Sequence, residues 1–249
     1  MTTLFISDLH LSPDNPDLTQ LTIEFLQQET QGVKALYILG DLFNTWLGDD
    51  IIPAEFTLLI KQLHHLHTTG IKIYLMVGNR DFMMGKGLAK KIGGELLEDT
   101  CVIDLYGTKT LLLHGDTLCI DDLSYQRYRR WTRNKLLQWC FRHLPASYRQ
   151  QISNKIKQKS RQQKRSKSAI IMDVNQSEVV RVMQQFSVTQ IIHGHTHRPA
   201  IHQLKMGNIP AHRIVLGDWN KNVSALKCNA QQCQLVDYRV AEKDSFLIN

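Results

Sequence analysis

Five short segments of this sequence carry the residue types that hold divalent metal ions without thiolates. They are Asp8-Leu9-His10, Gly40-Asp41, Gly78-Asn79-Arg80-Asp81, His114-Gly115-Asp116 and Gly194-His195-Thr196-His197. Oxygen and imidazole ligands favour hard or borderline cations such as Mn²⁺, Mg²⁺, Fe²⁺ or Zn²⁺. One such segment alone is more often an ordinary turn. Five of them in order predict a site for two metal ions.

An apolar run precedes each of the five segments and predicts the strand that positions it. The runs are Leu4–Ile6, Ala35–Leu39, Ile71–Val77, Thr110–Leu113 and Gln190–Ile192. Because an α/β sheet gathers its functional loops at the ends of strands, we expect the ligands to meet there. Helical periodicity over Leu18–Glu29 and Phe56–His67 separates the first strands and indicates a parallel sheet. Short alternating segments after residue 190 indicate antiparallel strands.

The spacing of the ligands predicts how two ions would share them. Asp8 and His10 are two residues apart, so an extended strand end would project both to the same side. With Asp41 and His197 they would hold the first ion. The second ion would share Asp41 and take one amide oxygen and two imidazoles, those of Asn79, His114 and His195. Two ions about 3.5–4 Å apart clamp a phosphoryl oxygen and generate hydroxide at neutral pH, which indicates hydrolysis of a phosphoester or phosphoanhydride.

Other polar residues near these segments have structural interpretations. Asp81 and Asp116 are expected to orient ligands rather than to bind metal. We expect Asp49 and Asp50 to belong to a loop. Cys119 lies close to His114 in the sequence and could suggest a nucleophile, but no supporting base is evident, and it is interpreted as a buried thiol.

Positive charge is concentrated between Leu123 and Met172. Of the 30 Lys and Arg residues, 14 lie in this segment, which has no Asp or Glu. The rest of the chain has the other 16 Lys and Arg and all 23 acidic residues, so its net charge is negative. Aromatic residues alternate with the arginines: Tyr125, Tyr128, Trp131, Trp139, Phe141 and Tyr148. Helices with aromatic and cationic faces, broken near Pro145, suit an anionic amphiphile or an anionic membrane surface. The same composition could bind nucleic acid by neutralising phosphates and stacking bases.

Composition favours a globular cytoplasmic protein. The 249 residues are 43% hydrophobic and 21% charged, with a net charge of +7. The five cysteines are an odd number without CxxC spacing, which indicates reduced thiols. No secretory signal is visible, and no apolar run reaches the roughly 18–20 residues that a membrane-spanning helix needs. The sequence therefore predicts a protein that can lie on a membrane without crossing it.

The five segments resemble the pattern of the calcineurin-like metallophosphoesterase superfamily, DxH, GDxx, GNxx, Hx and GHxH. The resemblance implies an α/β fold, a four-layer αββα sandwich of two mixed sheets. It implies a single domain over residues 1–249, with a helical basic and aromatic lid inserted at about residues 122–170. Many members continue GN with a histidine that protonates the leaving group, whereas this sequence has Arg80. A fixed cation suits a diphosphate, because the phosphate leaving group of such a substrate is weakly basic.

Longer matching stretches narrow the resemblance to the UDP-2,3-diacylglucosamine diphosphatase family. They include Tyr37–Phe43, Trp46–Asp50, Leu113–Cys119, Ile171–Gln176 and His193–Pro199. The family implies a Mn²⁺-dependent hydrolase of lipid A synthesis, a peripheral protein at the cytoplasmic face of the bacterial inner membrane. Its substrate would be UDP-2,3-diacylglucosamine. Water attacking the α-phosphorus would give UMP and 2,3-diacylglucosamine 1-phosphate (lipid X).

The resemblance also implies roles for individual residues. Two Mn²⁺ per chain would bind to Asp8, His10, Asp41, Asn79, His114, His195 and His197. Substrate phosphates would contact Asn79, Arg80 and His195, with Asp41 and Arg80 as the catalytic residues. In the insertion, Asp122, Ser160 and Lys167 match positions that hold the glucosamine-phosphate head group. Lys164 stands where the family pattern can have a small amide residue, and a lysine there could still reach a phosphate.

Two other functions are compatible with parts of the pattern. The basic segment could form a strand groove in a nucleic-acid phosphodiesterase. A non-catalytic scaffold docked on membranes is a second alternative, although a scaffold has no need for two complete ligand sets. The expected partners are the lipid nucleotide and an anionic inner-membrane surface, with no nucleic acid.

Overall fold

The computed structural model describes residues 2–166, 173–220 and 222–239, and within these ranges eleven strands and seven α-helices are found. The strands are β1 Thr2–Ile6, β2 Val33–Leu39, β3 Lys72–Met76, β4 Glu95–Leu96, β5 Thr100–Leu105, β6 Thr108–Leu113, β7 Gln190–His193, β8 Ala200–Met206, β9 Ile209–Val215, β10 Asn222–Cys228 and β11 Cys233–Arg239. The helices are α1 Pro16–Glu29, α2 Thr57–Thr68, α3 Lys86–Ile92, α4 Leu123–Thr132, α5 Lys135–Arg142, α6 Ala146–Ser166 and α7 Gln176–Gln185.

The strands form two mixed sheets. The first has the order β11-β10-β1-β2-β3-β4, in which β1 to β4 are parallel and β10 is antiparallel to β1. The second has the order β5-β6-β7-β9-β8, with β6, β7 and β9 parallel. Each of the five ligand segments follows a strand of the parallel part of a sheet, namely β1, β2, β3, β6 or β7. The predicted position of the five segments at strand ends is confirmed.

Three hydrophobic cores separate four layers. One core packs the first sheet against α1, α2 and α3, and contains Leu36 and Leu59. A second lies between the two sheets and contains Tyr37 and Ile192. The third packs the second sheet against α7 and contains Ile191. Neighbouring residues of β2 and of β7 thus enter different cores, as strand alternation requires. The predicted αββα sandwich is confirmed.

Three helices, α4 to α6, occupy the basic segment; the break near Pro145 was predicted, whereas the break near Asn134 was not. Asn134 caps the N-terminus of α5, which begins after the first break. Its side-chain oxygen accepts from the backbone N–H groups of Leu136 and Leu137 at 3.0 and 3.1 Å. Pro145 lies in the second break, between α5 and α6. None of the side chains described for α4 and α5 is fully buried. Both helices therefore pack on the surface of the sandwich rather than inside it.

Several arginines of the basic segment attach these helices to the sandwich. Arg149 is only 4% exposed and donates to both carboxylate oxygens of Asp50, at 2.8 and 2.5 Å. Arg133 donates to the carbonyl oxygen of Gly78 at 3.0 Å and pairs with Asp99 at 3.3 Å. Part of the positive charge is consequently paired with carboxylates of the sandwich instead of being available to a ligand.

The cysteines differ from the expectation of reduced thiols. Cys228 and Cys233 form a disulfide, and they are cross-strand partners in the β10–β11 hairpin. The expectation is wrong for this pair, because strand pairing brings together two cysteines that no sequence motif links. Cys101, Cys119 and Cys140 are not part of a disulfide among the described residues. In the described ranges, no helix has the length and apolar character to span a bilayer.

Candidate metal centre

The turns after the strands place five of the predicted ligands in the left-handed backbone region. Their φ angles are 56° for Asp8, 52° for His10, 51° for Asp41, 68° for His195 and 57° for His197. This conformation costs a non-glycine residue about 1–2 kcal/mol. The expectation that Asp8 and His10 project from an extended strand end is therefore wrong. They converge because the chain coils after β1, and strained residues gather at one place, as at many functional sites.

Hydrogen bonds between neighbouring turns hold this conformation. The backbone N–H of Asp8 donates to the carbonyl of Gly40 at 3.1 Å, and that of His10 donates to the carbonyl of Asp41 at 2.9 Å. The turn after β1 is thus attached to the turn after β2. A parallel pair of strands fixes the two turns at the same edge of the sheet.

Asp8, His10 and His197 form the first cluster. Nε2 of His10 lies 3.2 Å from Nε2 of His197. Oδ1 of Asp8 lies 3.3 Å from Nε2 of His197 and 3.9 Å from Nε2 of His10. One potential ligand atom from each residue therefore points into the same small space.

Asn79, His114 and His195 form the second cluster around an amide oxygen. Oδ1 of Asn79 lies 3.0 Å from Nε2 of His114 and 2.9 Å from Nδ1 of His195. Nδ1 of His114 faces the carbonyl of Leu39 at 2.9 Å, which leaves Nε2 directed into the site. The tautomer that this contact favours is the one a metal ligand needs.

Asp41 lies between the two clusters. Its Oδ2 is 3.7 Å from Nδ1 of His10 and 3.8 Å from Nε2 of His114. Its other oxygen, Oδ1, accepts the backbone N–H of Arg80 at 2.7 Å. Asp8, Asp41 and His114 form a second group with ligand atoms close enough to share one ion. This placement fits the predicted bridging carboxylate.

The electrostatics of the site fit bound cations. Among the described residues, no group forms a well-aligned hydrogen bond with the buried atoms Oδ1 of Asp8 and Nδ1 of His10. Burial raises the pKa of Asp41 to about 7 and lowers the pKa of His10 to about 4. Both shifts have the same cause, because a dry site penalises any charge that lacks a compensating partner. Divalent cations would stabilise the ionised carboxylate and the neutral imidazole together.

The pKa of His197 is raised, whereas that of His10 is lowered. Burial would lower the pKa of His197, but attraction to the carboxylates of Asp218 and Asp8 outweighs burial and raises the pKa to about 9. Nδ1 of His197 lies 3.2 Å from Oδ2 of Asp218. Asp218 was missed at the sequence level, because it lies in the loop after β9, outside all five segments. The Gly-Asp pair that it forms with Gly217 was the available signal.

Asp81 and Asp116, the two aspartates predicted to orient ligands, each hold a neighbouring part of the chain in place. Asp81 is fully buried and accepts the backbone N–H groups of Gly78 at 2.7 Å and Phe43 at 3.3 Å, which fixes the turn that carries Asn79. Asp116 accepts from the hydroxyl of Tyr125 at 2.5 Å and from Nε of Arg129 at 2.9 Å. It thereby attaches α4 to the turn that carries His114.

The other residues assigned structural roles also have them here. Asp49 accepts from the indole of Trp46 at 2.9 Å and from the backbone N–H groups of Gly85 and Leu88, so it holds the start of α3. Cys119 is buried, and burial raises its thiol pKa to about 12. A thiol with so high a pKa is a poor nucleophile at neutral pH.

A cavity of about 840 Å³ extends from the metal centre to the inserted helices. Its polar end is lined by His10, Asp41, Asn79, Arg80, His195 and His197. Its apolar end is lined by Tyr128, Trp131, Leu137, Phe141, Ile152 and Ile156, which belong to α4, α5 and α6. The cavity therefore joins a cluster of potential metal ligands to an apolar chamber.

The predicted substrate contacts of the insertion have different positions. Asp122 lines the cavity, and its Oδ1 accepts from the hydroxyl of Ser124 at 2.8 Å and from the backbone N–H of Tyr125 at 3.0 Å, so it also caps α4. Ser160 and Lys164 belong to α6, but their side chains lie outside the described part. Lys167 lies outside the described residues.

Comparison with known proteins gives consistent matches. The family model described as calcineurin-like phosphoesterase matches residues 1–199. A UDP-2,3-diacylglucosamine hydrolase from Photobacterium profundum is 45% identical and covers 98% of this chain and 100% of the relative. One of the same name from Pseudomonas aeruginosa is 48% identical over 92% of this chain and 96% of the relative.

A solved structure, vacuolar protein sorting 29 from Cryptosporidium parvum, superposes with a TM-score of 0.50 at 12% identity. The superposition covers 98% of this chain and 93% of the other. At this identity the likeness concerns the fold alone.

Proposed function

This chain belongs to the calcineurin-like phosphoesterase family and, within it, to the UDP-2,3-diacylglucosamine hydrolases, and we propose that it cleaves the pyrophosphate bond of UDP-2,3-diacylglucosamine. The products would be UMP and 2,3-diacylglucosamine 1-phosphate (lipid X), an intermediate of lipid A synthesis. The observation that carries the proposal is the cavity that joins the metal centre to an apolar chamber. The names of the close relatives support the same substrate.

The two ends of the cavity match the two halves of this substrate. A diphosphate at the polar end would lie beside Arg80 and the ligand clusters, whereas acyl chains would fill the chamber formed by α4 to α6. Burial of acyl methylenes contributes about 0.8 kcal/mol each, so the chamber would supply a large share of binding. Apolar side chains such as Leu137, Ile152 and Ile156 offer no hydrogen bonds to a nucleic-acid strand.

The arginines of the insertion also favour the lipid substrate over nucleic acid. Arg129 pairs with Asp99 and Asp116 at 2.6 and 2.9 Å, and Arg149 pairs with Asp50. A strand groove needs cations that are free to meet phosphates. These two arginines already have carboxylate partners inside the protein.

We propose two Mn²⁺ per chain as the cofactors. Asp8, His10, Asp41 and His197 would hold one ion, and Asp41, Asn79, His114 and His195 would hold the other. Bound ions supply the nucleophile by lowering the pKa of water and stabilise charge on the phosphoryl oxygens. The ligand set, oxygens and imidazoles without a thiolate, suits a metal of this hardness.

Arg80 would act on the diphosphate directly. Its backbone N–H is held by Oδ1 of Asp41 at 2.7 Å, so the residue is fixed beside the proposed bridging ligand. Its side chain lines the polar end of the cavity. A guanidinium there would bind the diphosphate and offset the negative charge that develops on the departing 2,3-diacylglucosamine 1-phosphate when water attacks the α-phosphorus. Asp122, and Ser160, Lys164 and Lys167 further along, are proposed to hold the glucosamine-phosphate head group.

The inserted helices, about residues 122–170 of a single domain, are proposed to act as a lid that rests on the membrane. On α5, Leu137 and Phe141 line the cavity, whereas Leu136 is 66% and Trp139 is 53% exposed. Exposed apolar side chains in a segment without acidic residues suit an anionic bilayer. The enzyme would therefore meet its lipid substrate at the cytoplasmic face of the inner membrane as a peripheral protein.

The test is product analysis with two substrates. Mn²⁺-loaded protein is incubated with UDP-2,3-diacylglucosamine and, separately, with single-stranded oligonucleotides, and released nucleotides are separated by chromatography. The proposal expects UMP from the lipid nucleotide, no nucleotide from the oligonucleotides and no product with Asp41→Ala. Nucleotide release from oligonucleotides with an inert lipid substrate would support a nuclease instead. No turnover of either would support a scaffold.

A further inference from the structure

The loop that follows β9 brings a carboxylate to the metal centre from outside the five ligand segments. Oδ2 of Asp218 lies 3.2 Å from Nδ1 of His197. The other ring nitrogen of His197, Nε2, faces the first cluster, 3.2 Å from Nε2 of His10 and 3.3 Å from Oδ1 of Asp8. Asp218 and the first cluster therefore contact opposite nitrogens of the same imidazole.

We propose that Asp218 is a positioning residue that holds the His197 ring with its proton on Nδ1 and its lone pair on Nε2. A metal-bound histidine usually donates its second N–H to a carboxylate or a carbonyl, which fixes the ring and raises its basicity as a ligand. This inference rests on the proposed metal centre, because it assigns the residue that prepares one ligand of that centre. Asp218 itself binds no metal in this proposal.

The loop is anchored so that Asp218 has little freedom. The backbone N–H of Leu216 donates to the carbonyl of His193 at 2.7 Å, and that of Gly217 donates to the hydroxyl of Ser224 at 3.1 Å. Directly after Asp218, the backbone N–H of Trp219 donates to the carbonyl of Asp8 at 3.3 Å. The position of Asp218 is thus set by β7 of one sheet, β10 of the other and the turn that carries a metal ligand.

Packing on both sides of Asp218 reinforces this placement. Trp219 is 2% exposed, its ring packs edge-on against Phe25 at 5.0 Å between centroids, and its indole N–H donates to the carbonyl of Ser224 at 3.0 Å. On the other side, a Cβ at Gly217 would lie 2.7 Å from the hydroxyl oxygen of Ser224, so a larger residue would displace the loop. Such anchoring is expected of a residue whose role is to orient another.

The carboxylate also has a partner of its own. Nδ2 of Asn220 donates to Oδ2 of Asp218 at 3.0 Å. Oδ2 therefore accepts from the amide and lies 3.2 Å from Nδ1 of the imidazole. These contacts define one orientation of the carboxylate, and this orientation keeps the Nδ1 proton in place when Nε2 binds a cation.

The test is a Mn²⁺ titration of metal-free protein, followed by calorimetry or by electron paramagnetic resonance. The wild type should bind two ions per chain. Asp218→Asn preserves the size of the side chain but removes its charge. It should lower the affinity for one ion by about 10- to 100-fold and leave the affinity for the other ion unchanged. Asp218→Glu should recover part of the affinity. Asp14→Asn is the control, because it removes an exposed carboxylate elsewhere in the chain, and it should change the affinity for neither ion.

The outcomes separate this inference from the proposed function. A wild-type protein that binds fewer than two ions would contradict the metal centre. A wild type with two ions and an Asp218→Asn variant of equal affinity would overturn only the role of Asp218. Should the variant fail to fold, ¹⁵N-histidine spectra of Zn²⁺-loaded wild type decide, with the His197 signal identified by its loss in His197→Gln. Protonated Nδ1 is expected, and an unprotonated Nδ1 would overturn the inference.

Discussion

The Nε2 atoms of His10 and His197 lie 3.2 Å apart, although 187 residues separate the two histidines in the sequence. His10 follows β1 of the first sheet, and His197 follows β7 of the second. The two sheets of the sandwich therefore each contribute one imidazole to a single cluster. Asp8 completes the cluster from the same turn as His10. A cation at this point would link the sheets across the open edge of the sandwich.

Arg80→Ala should lower kcat by about 10²- to 10³-fold, the range for removing one preorganised charge that stabilises a transition state. The Arg80 side chain lines the cavity, whereas its backbone N–H holds Asp41, so the substitution leaves the ligand in place. Steady-state kinetics with the lipid nucleotide and Mn²⁺ titration measure the two effects separately. Loss of a bound ion from this variant would show that Arg80 supports the metal site rather than the substrate.

Ile156→Ser should weaken turnover of acylated substrate selectively. Ile156 lines the apolar end of the cavity, and burial of such a side chain against a ligand contributes about 1.5–3 kcal/mol, or roughly 10- to 100-fold in kcat/KM. The kcat/KM of the variant for a small soluble phosphodiester should stay within about twofold of the wild-type value. Ile201→Ser, at an exposed position of β8, is the matched control. Equal losses on both substrates would mean that the chamber serves folding instead of acyl binding.

Asp116→Asn should destabilise the metal-free protein by about 3 kcal/mol at neutral pH, as expected when a buried ion pair loses one partner. Burial would raise the pKa of Asp116, but attraction to His114 and Arg129 outweighs burial and holds the pKa below its usual 3.8. Since the folded pKa is depressed, the stabilisation is complete well above pH 3.8 and is lost as the pH falls through the folded value.

Urea unfolding of metal-free protein between pH 3 and pH 8 measures this dependence. The difference in the free energy of unfolding between wild type and Asp116→Asn should be constant above about pH 5 and should become smaller below about pH 4. Asp99→Asn removes the more exposed partner of Arg129 and should cost less than about 1 kcal/mol. A gap that widened as the pH fell would contradict the assigned direction of the pKa shift.

Leu136→Glu combined with Trp139→Glu should reduce binding to anionic phospholipid vesicles by about tenfold or more. Both side chains are exposed on α5, and each would bury apolar area in the interface. Co-sedimentation with vesicles measures the effect. Leu58→Glu, at an exposed position of α2, is the control and should bind like the wild type. Undiminished binding of the double variant would exclude α5 as the membrane contact.

The sequence predicted the layers and the meeting of the five segments at strand ends, because both depend on local patterns. Apolar runs such as Ala35–Leu39 identify the strands, and a Gly-Asp or Gly-His pair directly after a run marks a functional turn. Alternation along β2 sends Leu36 and Tyr37 to different cores, as a sheet covered on both faces requires. Asp81 and Asp116 were predicted to orient ligands because they adjoin ligand turns; Asp81 holds the backbone of the turn that carries Asn79, whereas Asp116 bonds to Tyr125 and Arg129 of α4.

The features that the sequence did not predict depend on contacts between distant segments. Asp218 meets His197 only after β9 and β7 have paired. Cys228 and Cys233 meet because the β10–β11 hairpin has one particular register. The basic segment as a whole was interpreted as suited to an anionic partner, whereas its Arg149 is buried and bonded to Asp50, since charge patterns do not show which cations attach a helix. The left-handed turn at Asp8 follows from its bond to Gly40.

The central claim is that two cations share Asp41, and anomalous scattering at the Mn edge from crystals of Mn²⁺-loaded protein tests it most directly. The account predicts two peaks about 3.5–4 Å apart. One should contact Asp8, His10 and His197, the other should contact Asn79, His114 and His195, and Asp41 should contact both. A single peak, or two peaks of which only one contacts Asp41, would contradict the account.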